Sequence, residues 1–193
     1  MLAIVAALAA VAASLGDLML LTAADAPPAG LIVGHYLGVL GIPLYALGYS
    51  AVARLLAPSH SAAARVVFGT GLFAAAIGGT VHGVTAVIIR FAADAQPGSA
   101  DSLQPAGAFL LPLWVLLGIA TVLASGFYAR AVASGATALP RWMAVANPLM
   151  LVLSIALIGS VAGPAQRVLV LAAPNLAHVM FFALVAWTAT QPD

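Results

Sequence analysis

The side chains able to carry out acid–base or metal chemistry are few in this sequence of 193 residues. It contains no Cys, Glu or Lys, so its ionisable side chains are Asp, Arg, His and Tyr alone. Thiolate chemistry, cysteine-ligated metals and lysine Schiff bases are therefore excluded. A general acid or general base must be an Asp, a His, a Tyr or a bound water.

Four Asp and His residues lie inside the long apolar stretches, namely Asp17, His35, His82 and His178. An ionisable group in hydrocarbon costs several kcal/mol and usually marks a function. Three neutral imidazoles with a carboxylate or a water suit a transition metal such as zinc. We therefore interpret the three histidines as candidate metal ligands that activate a water, with Asp17 as the general base.

Two neutral polar residues are candidate members of the same site. Asn175 lies one helical turn before His178, so the two side chains share a helix face. Tyr45 lies in the second apolar stretch, one turn before Tyr49. With Asp17, Asn175 and Tyr45 are the predicted catalytic residues.

Three other interpretations of these residues stay open. Apolar surroundings could keep Asp17 protonated, so that it donates a proton to an alkene or epoxide without a metal, as in membrane isoprenoid cyclases and isomerases. Two histidines on facing helices, such as His82 and His178, could ligate haem, or the protein could bind or transport a small molecule. The polar groups could also serve packing alone, each histidine bonding a backbone carbonyl.

The composition places these residues in a membrane protein. Hydrophobic residues make up 64% of the chain and charged residues only 6%, whereas soluble domains are about a quarter charged. The apolar runs are long and do not alternate as barrel strands do, which favours helices. A net charge of +1 without a basic patch argues against a nucleic-acid partner.

The apolar runs predict an all-α, polytopic bundle of six transmembrane helices that forms a single domain over residues 1–193. About 20 apolar residues cross a bilayer. The predicted spans cover residues 2–23, 31–56, 63–91, 109–132, 142–161 and 168–190. The connections are short, and the oligomeric state cannot be read from them.

The arginines predict the orientation in the cell inner (plasma) membrane. Arg54, Arg65, Arg130 and Arg141 border two connections on one side, and positive loops stay cytoplasmic. The opposite side has Arg90 and Arg167, accompanied by Asp25, Asp94 and Asp101. Both termini are therefore expected in the cytoplasm. This membrane topology is expected to bring Asp17 and the three histidines to a similar depth, in the outer half of the bilayer.

Several different short motifs are distributed along most of the chain. They are Gly16-Asp17-Leu18, Gly38 with Pro43-Leu44-Tyr45 and Gly48, Gly79 with His82, Pro140-Arg141-Trp142-Met143 with Asn147-Pro148, and Asn175 with Phe181-Phe182. In these motifs the chain resembles an uncharacterised bacterial family of small six-helix membrane proteins, a resemblance that implies six helices and no known activity. In site chemistry alone it is similar to alkaline ceramidases and adiponectin-type receptors, which hold a zinc with three histidines.

The expected function is that of an intramembrane enzyme whose partners are membrane lipids and an apolar small-molecule substrate. The most specific version of this expectation is a metal-dependent hydrolase with His35, His82 and His178 as metal ligands. The metal-free isomerase or cyclase that uses Asp17 as its acid, and a protein that binds haem, a metal or a small molecule, are the alternatives.

Overall fold

A computed structural model describes residues 1–22, 28–94 and 104–191, and every regular element in these ranges is helical. Asp25 and Asp101, on which the predicted orientation partly depends, lie outside the described residues. The helices are α1 (Leu2–Leu21), α2 (Pro28–Gly41), α3 (Tyr45–Leu56), α4 (Ser61–Asp94), α5 (Gln104–Ala133), α6 (Pro148–Ser160) and α7 (Gln166–Thr188). Three short 3-10 turns (Ile42–Leu44, Arg141–Ala144 and Gly163–Ala165) precede α3, α6 and α7.

Among the described residues, five helical segments are long and apolar enough to cross a membrane, which indicates a membrane protein, and they overlap five of the six predicted spans. They are Leu2–Leu21, Ala29–Leu56, Ser61–Ile88, Ala108–Ala133 and Gly163–Thr188. The second segment comprises α2, a 3-10 turn and α3. Pro43 lies in this turn. Because proline has no backbone N–H to donate, the regular α-helical hydrogen bonding of the segment is interrupted here.

The predicted fifth span is wrong in its extent. Its helix begins only at Pro148 and has 13 residues, or about 20 Å at the rise of an α-helix, against about 30 Å of hydrocarbon. Asn147 caps this helix by accepting from the Met150 N–H at 3.1 Å, and Ser125 of α5 accepts from the Leu149 N–H at 3.0 Å. The cap therefore starts a new helix at Pro148, inside the predicted span of residues 142–161.

The helices pack side by side. Helix α1 contacts α2, α3 and α7, while α4 contacts α2, α3 and α5, and α6 lies mainly against α7. The inner face of α1 is made of small residues at helical spacing, among them Ala6, Ala10 and Ala13, which are fully buried. Small side chains allow the neighbouring backbones to approach closely, as is usual for transmembrane helices.

The outer surface of the bundle is apolar. Large side chains such as Leu8, Phe109, Leu157 and Val161 are mostly exposed. An apolar surface of this extent is unfavourable in water and is covered in a bilayer by acyl chains.

At Gly16 and Gly34 the backbones of α1 and α2 lie close together. A Cβ at Gly16 would lie 2.6 Å from the Gly34 carbonyl oxygen, whereas a Cβ at Gly118 of α5 would meet no atom within 4 Å. We predict that Gly16→Ala separates α1 from α2 and lowers stability by about 1–3 kcal/mol. Gly118→Ala, the matched control, should leave stability unchanged or raise it.

Thermal unfolding of both variants in detergent, followed by circular dichroism, checks this prediction. An equal midpoint for Gly16→Ala and the unsubstituted protein would show that α1 and α2 do not depend on this contact.

Candidate functional site

The Asp17 carboxyl group lies at the centre of a cluster of polar side chains from several helices. Its Oδ1 is 3.2 Å from Nδ1 of His82 on α4. Its Oδ2 accepts a hydrogen bond of 2.7 Å from the Asn175 side-chain amide on α7. Both side chains of the Asp17–His82 pair are largely buried, at 14% and 5% exposed. The two carboxyl oxygens are thus held by two different helices.

Tyr45 extends this cluster to α3. Its hydroxyl group donates to the Asn175 side-chain oxygen at 2.8 Å, and the tyrosine is 3% exposed. Tyr45 is the first residue of α3. The turn around Pro43 therefore sets where its ring enters the bundle. The hydroxyl of Tyr45 fixes the amide of Asn175, and the amide in turn orients the carboxyl group of Asp17.

The His82 ring bridges α4 to α2. Its Nε2 is 3.2 Å from the Gly34 carbonyl oxygen, an acceptor, so this nitrogen carries a hydrogen. For the contact between His82 Nδ1 and Asp17 Oδ1 to be a hydrogen bond, a hydrogen must lie on one of these two atoms. A Cβ at Gly38 would collide with this ring, so the glycine provides the space for His82.

His178 belongs to a second hydrogen-bonded chain beside the first. Its Nδ1 donates to the Pro174 carbonyl oxygen at 2.7 Å, so its Nε2 accepts from the Tyr49 hydroxyl at 2.9 Å. The His178 ring stacks on the Tyr45 ring with centroids 4.7 Å apart. The two chains are in contact through these rings, and Phe182 packs against the same group of rings.

A cavity of about 120 Å³ borders the cluster. Asp17, His82, Asn175, Tyr45 and His178 line one part of it, and most of the remaining wall is apolar. The apolar wall includes Leu20, Leu21, Ile42, Ala74, Ala75, Val81, Trp114, Leu117 and Leu171. An apolar cavity of about 150 Å³ holds a molecule the size of benzene. A small apolar group can therefore reach the Asp17 carboxyl.

The structure brings together five of the six predicted site residues and leaves out His35. His35 has Nδ1 buried without a hydrogen-bond partner and does not line the cavity; its ring lies near Tyr36 and Gly83. Within the described residues no three His or Asp side chains are placed to hold a metal ion. The predicted site of His35, His82 and His178 is therefore not formed.

The alternative of haem ligation would require His82 and His178 to give up their present hydrogen bonds. Both ring nitrogens of His82 and of His178 already have hydrogen-bond partners. The cavity between them, at about 120 Å³, is well below the roughly 300–1,000 Å³ of sites for drug-sized ligands.

Three contributions to the site come from residues outside the predicted set. Tyr49 orients His178, and its spacing from Tyr45 was the signal available for it. Gly34 and Gly38 form a small-xxx-small pattern, which usually indicates close helix packing. Here Gly34 also supplies the carbonyl oxygen that accepts from His82, while Gly38 leaves room for the ring. Trp114 and Thr85, which line the cavity, had no signal in the sequence.

Comparison with known proteins identifies the family but not an activity. Residues 1–191 match DUF6796, a family of unknown function. The chain belongs to this family. The expected membership of an uncharacterised family is confirmed, and no activity comes with it. No curated protein and no solved structure gave a significant match.

Two buried tyrosines in this DUF6796 protein offer a matched test of the second hydrogen-bonded chain. The Tyr49 hydroxyl donates to His178, whereas the Tyr128 hydroxyl is buried without a partner. We predict that Tyr49→Phe lowers the free energy of unfolding by about 1–3 kcal/mol, because it leaves a buried imidazole nitrogen unpaired. Tyr128→Phe removes an unpaired hydroxyl and should leave stability equal or higher.

The measurement is thermal unfolding in detergent, with both variants compared with the unsubstituted protein. The hydrogen bond to His178 would be of no consequence if the two substitutions shifted the midpoint equally.

Proposed function

We propose that this protein is an intramembrane enzyme that moves a proton on a lipid or other apolar small molecule, with Asp17 as its acid and base. The observation that carries the proposal is the Asp17 carboxyl, which lines an apolar cavity while both its oxygens are held by polar partners. The reaction class is isomerisation or cyclisation, and it requires no metal among these residues.

The reaction starts with Asp17 protonated. The carboxyl group donates its proton to one carbon of a substrate alkene, whose π electrons form the new C–H bond and leave a carbocation on the adjacent carbon. Loss of a proton from a neighbouring carbon to the Asp17 carboxylate restores the acid and leaves the double bond in a new position. Attack by a second double bond before this loss would close a ring. No co-reactant is consumed.

The neighbouring residues serve this proton transfer in distinct ways. The Asn175 amide donates to Oδ2 of Asp17 and stabilises the carboxylate after transfer. Tyr45 and Trp114 line the cavity with aromatic rings, and aromatic faces stabilise a nearby cation. His82 holds the carboxyl in place through Oδ1. The apolar wall keeps water from capturing the cation.

The membrane setting follows from the same proposal. We place the protein in the plasma membrane with both termini in the cytoplasm, so that the Asp17 site lies in the outer half of the bilayer. A chain that crosses the bilayer six times requires the irregular residues before Asn147 to extend the short helix α6 across the rest of the hydrocarbon. An apolar substrate dissolved in the bilayer is available to a site at this depth.

Deuterium transfer from heavy water tests the reaction. The purified protein in nanodiscs is incubated in heavy water with a panel of prenols and unsaturated fatty alcohols, and the lipids are analysed by mass spectrometry. We predict that deuterium enters an alkene or allylic position of at least one probe. Asp17→Asn keeps the side-chain shape but removes the acid, and should slow incorporation by about a hundredfold or more.

Two results would contradict this function. One is the absence of incorporation into every probe, and the other is incorporation that persists at full rate in Asp17→Asn. An Asp17→Asn variant that unfolds is recognised by its circular dichroism, in which case Asp17→Glu, which keeps the acid but shifts it, serves as the second variant.

His35→Ala separates the metal-free reaction from the predicted three-histidine metal site. Because His35 lies outside the cavity, we predict that the variant retains deuterium transfer, and that a chelator has no effect on it. Metal content by mass spectrometry accompanies the assay. A transition metal bound at one per chain and lost together with activity in His35→Ala would establish the metal site instead.

A further inference from the structure

Helices α5 and α7 both line the cavity, but few of their backbone positions lie close to each other among the described residues. Trp114 and Leu117 of α5 line it, and so do Leu171 and Pro174 of α7. Trp114 is 41% exposed and Leu171 is 46% exposed. These two side chains therefore face both the cavity and the outside of the bundle.

The short helix α6 accounts for the gap. It begins against α5, where Ser125 accepts from the Leu149 N–H, and it ends against α7, where Gly159 packs on Leu169 and Val170. Helix α6 thus lies mainly against α7, and no α6 residue lines the cavity.

The gap is limited to one level of the bundle. Further along both helices, the Tyr128 ring of α5 meets the Phe181 ring of α7 edge to face, with centroids 5.2 Å apart. Both rings are almost completely buried. The contact closes the space below the cavity, so the opening lies at the level of Trp114 and Leu171.

The volume of the cavity limits what can enter it. About 120 Å³ is close to the space that benzene occupies in a protein interior, so a five- or six-carbon unit fits and a whole membrane lipid does not. The remainder of a longer molecule must stay outside, among the side chains of α5 and α7 and the acyl chains beyond them.

From these observations we propose that the gap between α5 and α7 is a lateral portal, flanked by Trp114 and Leu171, through which one end of a chain-shaped lipid passes from the bilayer to Asp17. The proposal rests on the proposed function for its chemistry and adds the substrate class. The substrate is a linear unsaturated lipid, such as a prenyl chain, whose reacting double bond lies in its terminal five- or six-carbon unit.

Trp114 can report on the portal by its fluorescence. The chain has three tryptophans, and Trp142→Phe with Trp187→Phe leaves Trp114 as the single fluorophore. The probe is bromododecanol, a linear alcohol whose bromine atom quenches indole, added to the variant in phosphatidylcholine nanodiscs. We expect saturable quenching above the linear quenching caused by probe dissolved in the lipid.

Filling the cavity should remove the saturable part. Ala75 lines the cavity and is buried, and we expect Ala75→Leu to weaken saturable quenching by about tenfold or more, because an overfilled packed site rejects the ligand. Gly126→Leu is the matched control on α5, since a Cβ there meets no atom within 4 Å and Gly126 does not line the cavity. It should quench like the parent.

A second variant acts on the portal itself and does not require a buried side chain to change. Leu171 is partly exposed, so Leu171→Phe should fold normally, and stopped-flow fluorescence should show slower onset of quenching than in the parent. Saturable quenching that survives Ala75→Leu, or an onset that Leu171→Phe leaves unchanged, would overturn the portal.

The fluorescence signal needs no turnover, so the two proposals fail separately. Saturable quenching without deuterium transfer would support the portal and contradict the reaction. Deuterium transfer with only linear quenching would contradict the portal and leave the reaction in place.

Discussion

A carboxyl group buried in an apolar bundle must be hydrogen-bonded or neutralised, and the structure around Asp17 follows from this requirement. His82 and Asn175 hold its two oxygens. Because each of these partners also needs partners of its own, the Gly34 carbonyl and the Tyr45 hydroxyl complete the chain. One acidic residue thus accounts for the positions of polar groups on four other segments.

The close packing of α1, α2 and α4 serves the same requirement. Gly16 lets α1 approach the Gly34 carbonyl, and Gly38 makes room for the His82 ring that bonds to this carbonyl. Larger side chains at these positions would separate the helices by a few tenths of an ångström or more and lengthen the hydrogen bonds. The glycines therefore set the geometry of the polar cluster as well as the packing of the helices.

The hydropathy of the sequence predicted the long helices, but it does not give the direction in which a side chain points. Asp17, His82 and His178, which were expected at one depth, line one cavity together with Asn175 and Tyr45. His35 was expected at the same depth, but successive residues of a helix point about 100° apart, and its ring does not line this cavity. The extent of α6 could not be obtained from hydropathy, because the cap at Asn147 depends on local hydrogen bonds.

The Asp17–His82 pair has a property that suits a reaction within a membrane. In the proposed reaction the pair starts with Asp17 protonated and His82 neutral, so the resting site brings no net charge into the hydrocarbon. Transfer of the proton to the substrate would then form a close carboxylate–carbocation pair, whose attraction is strong where water is excluded. An apolar cavity beside a neutral acid therefore favours a contact pair of carboxylate and carbocation over separated ions.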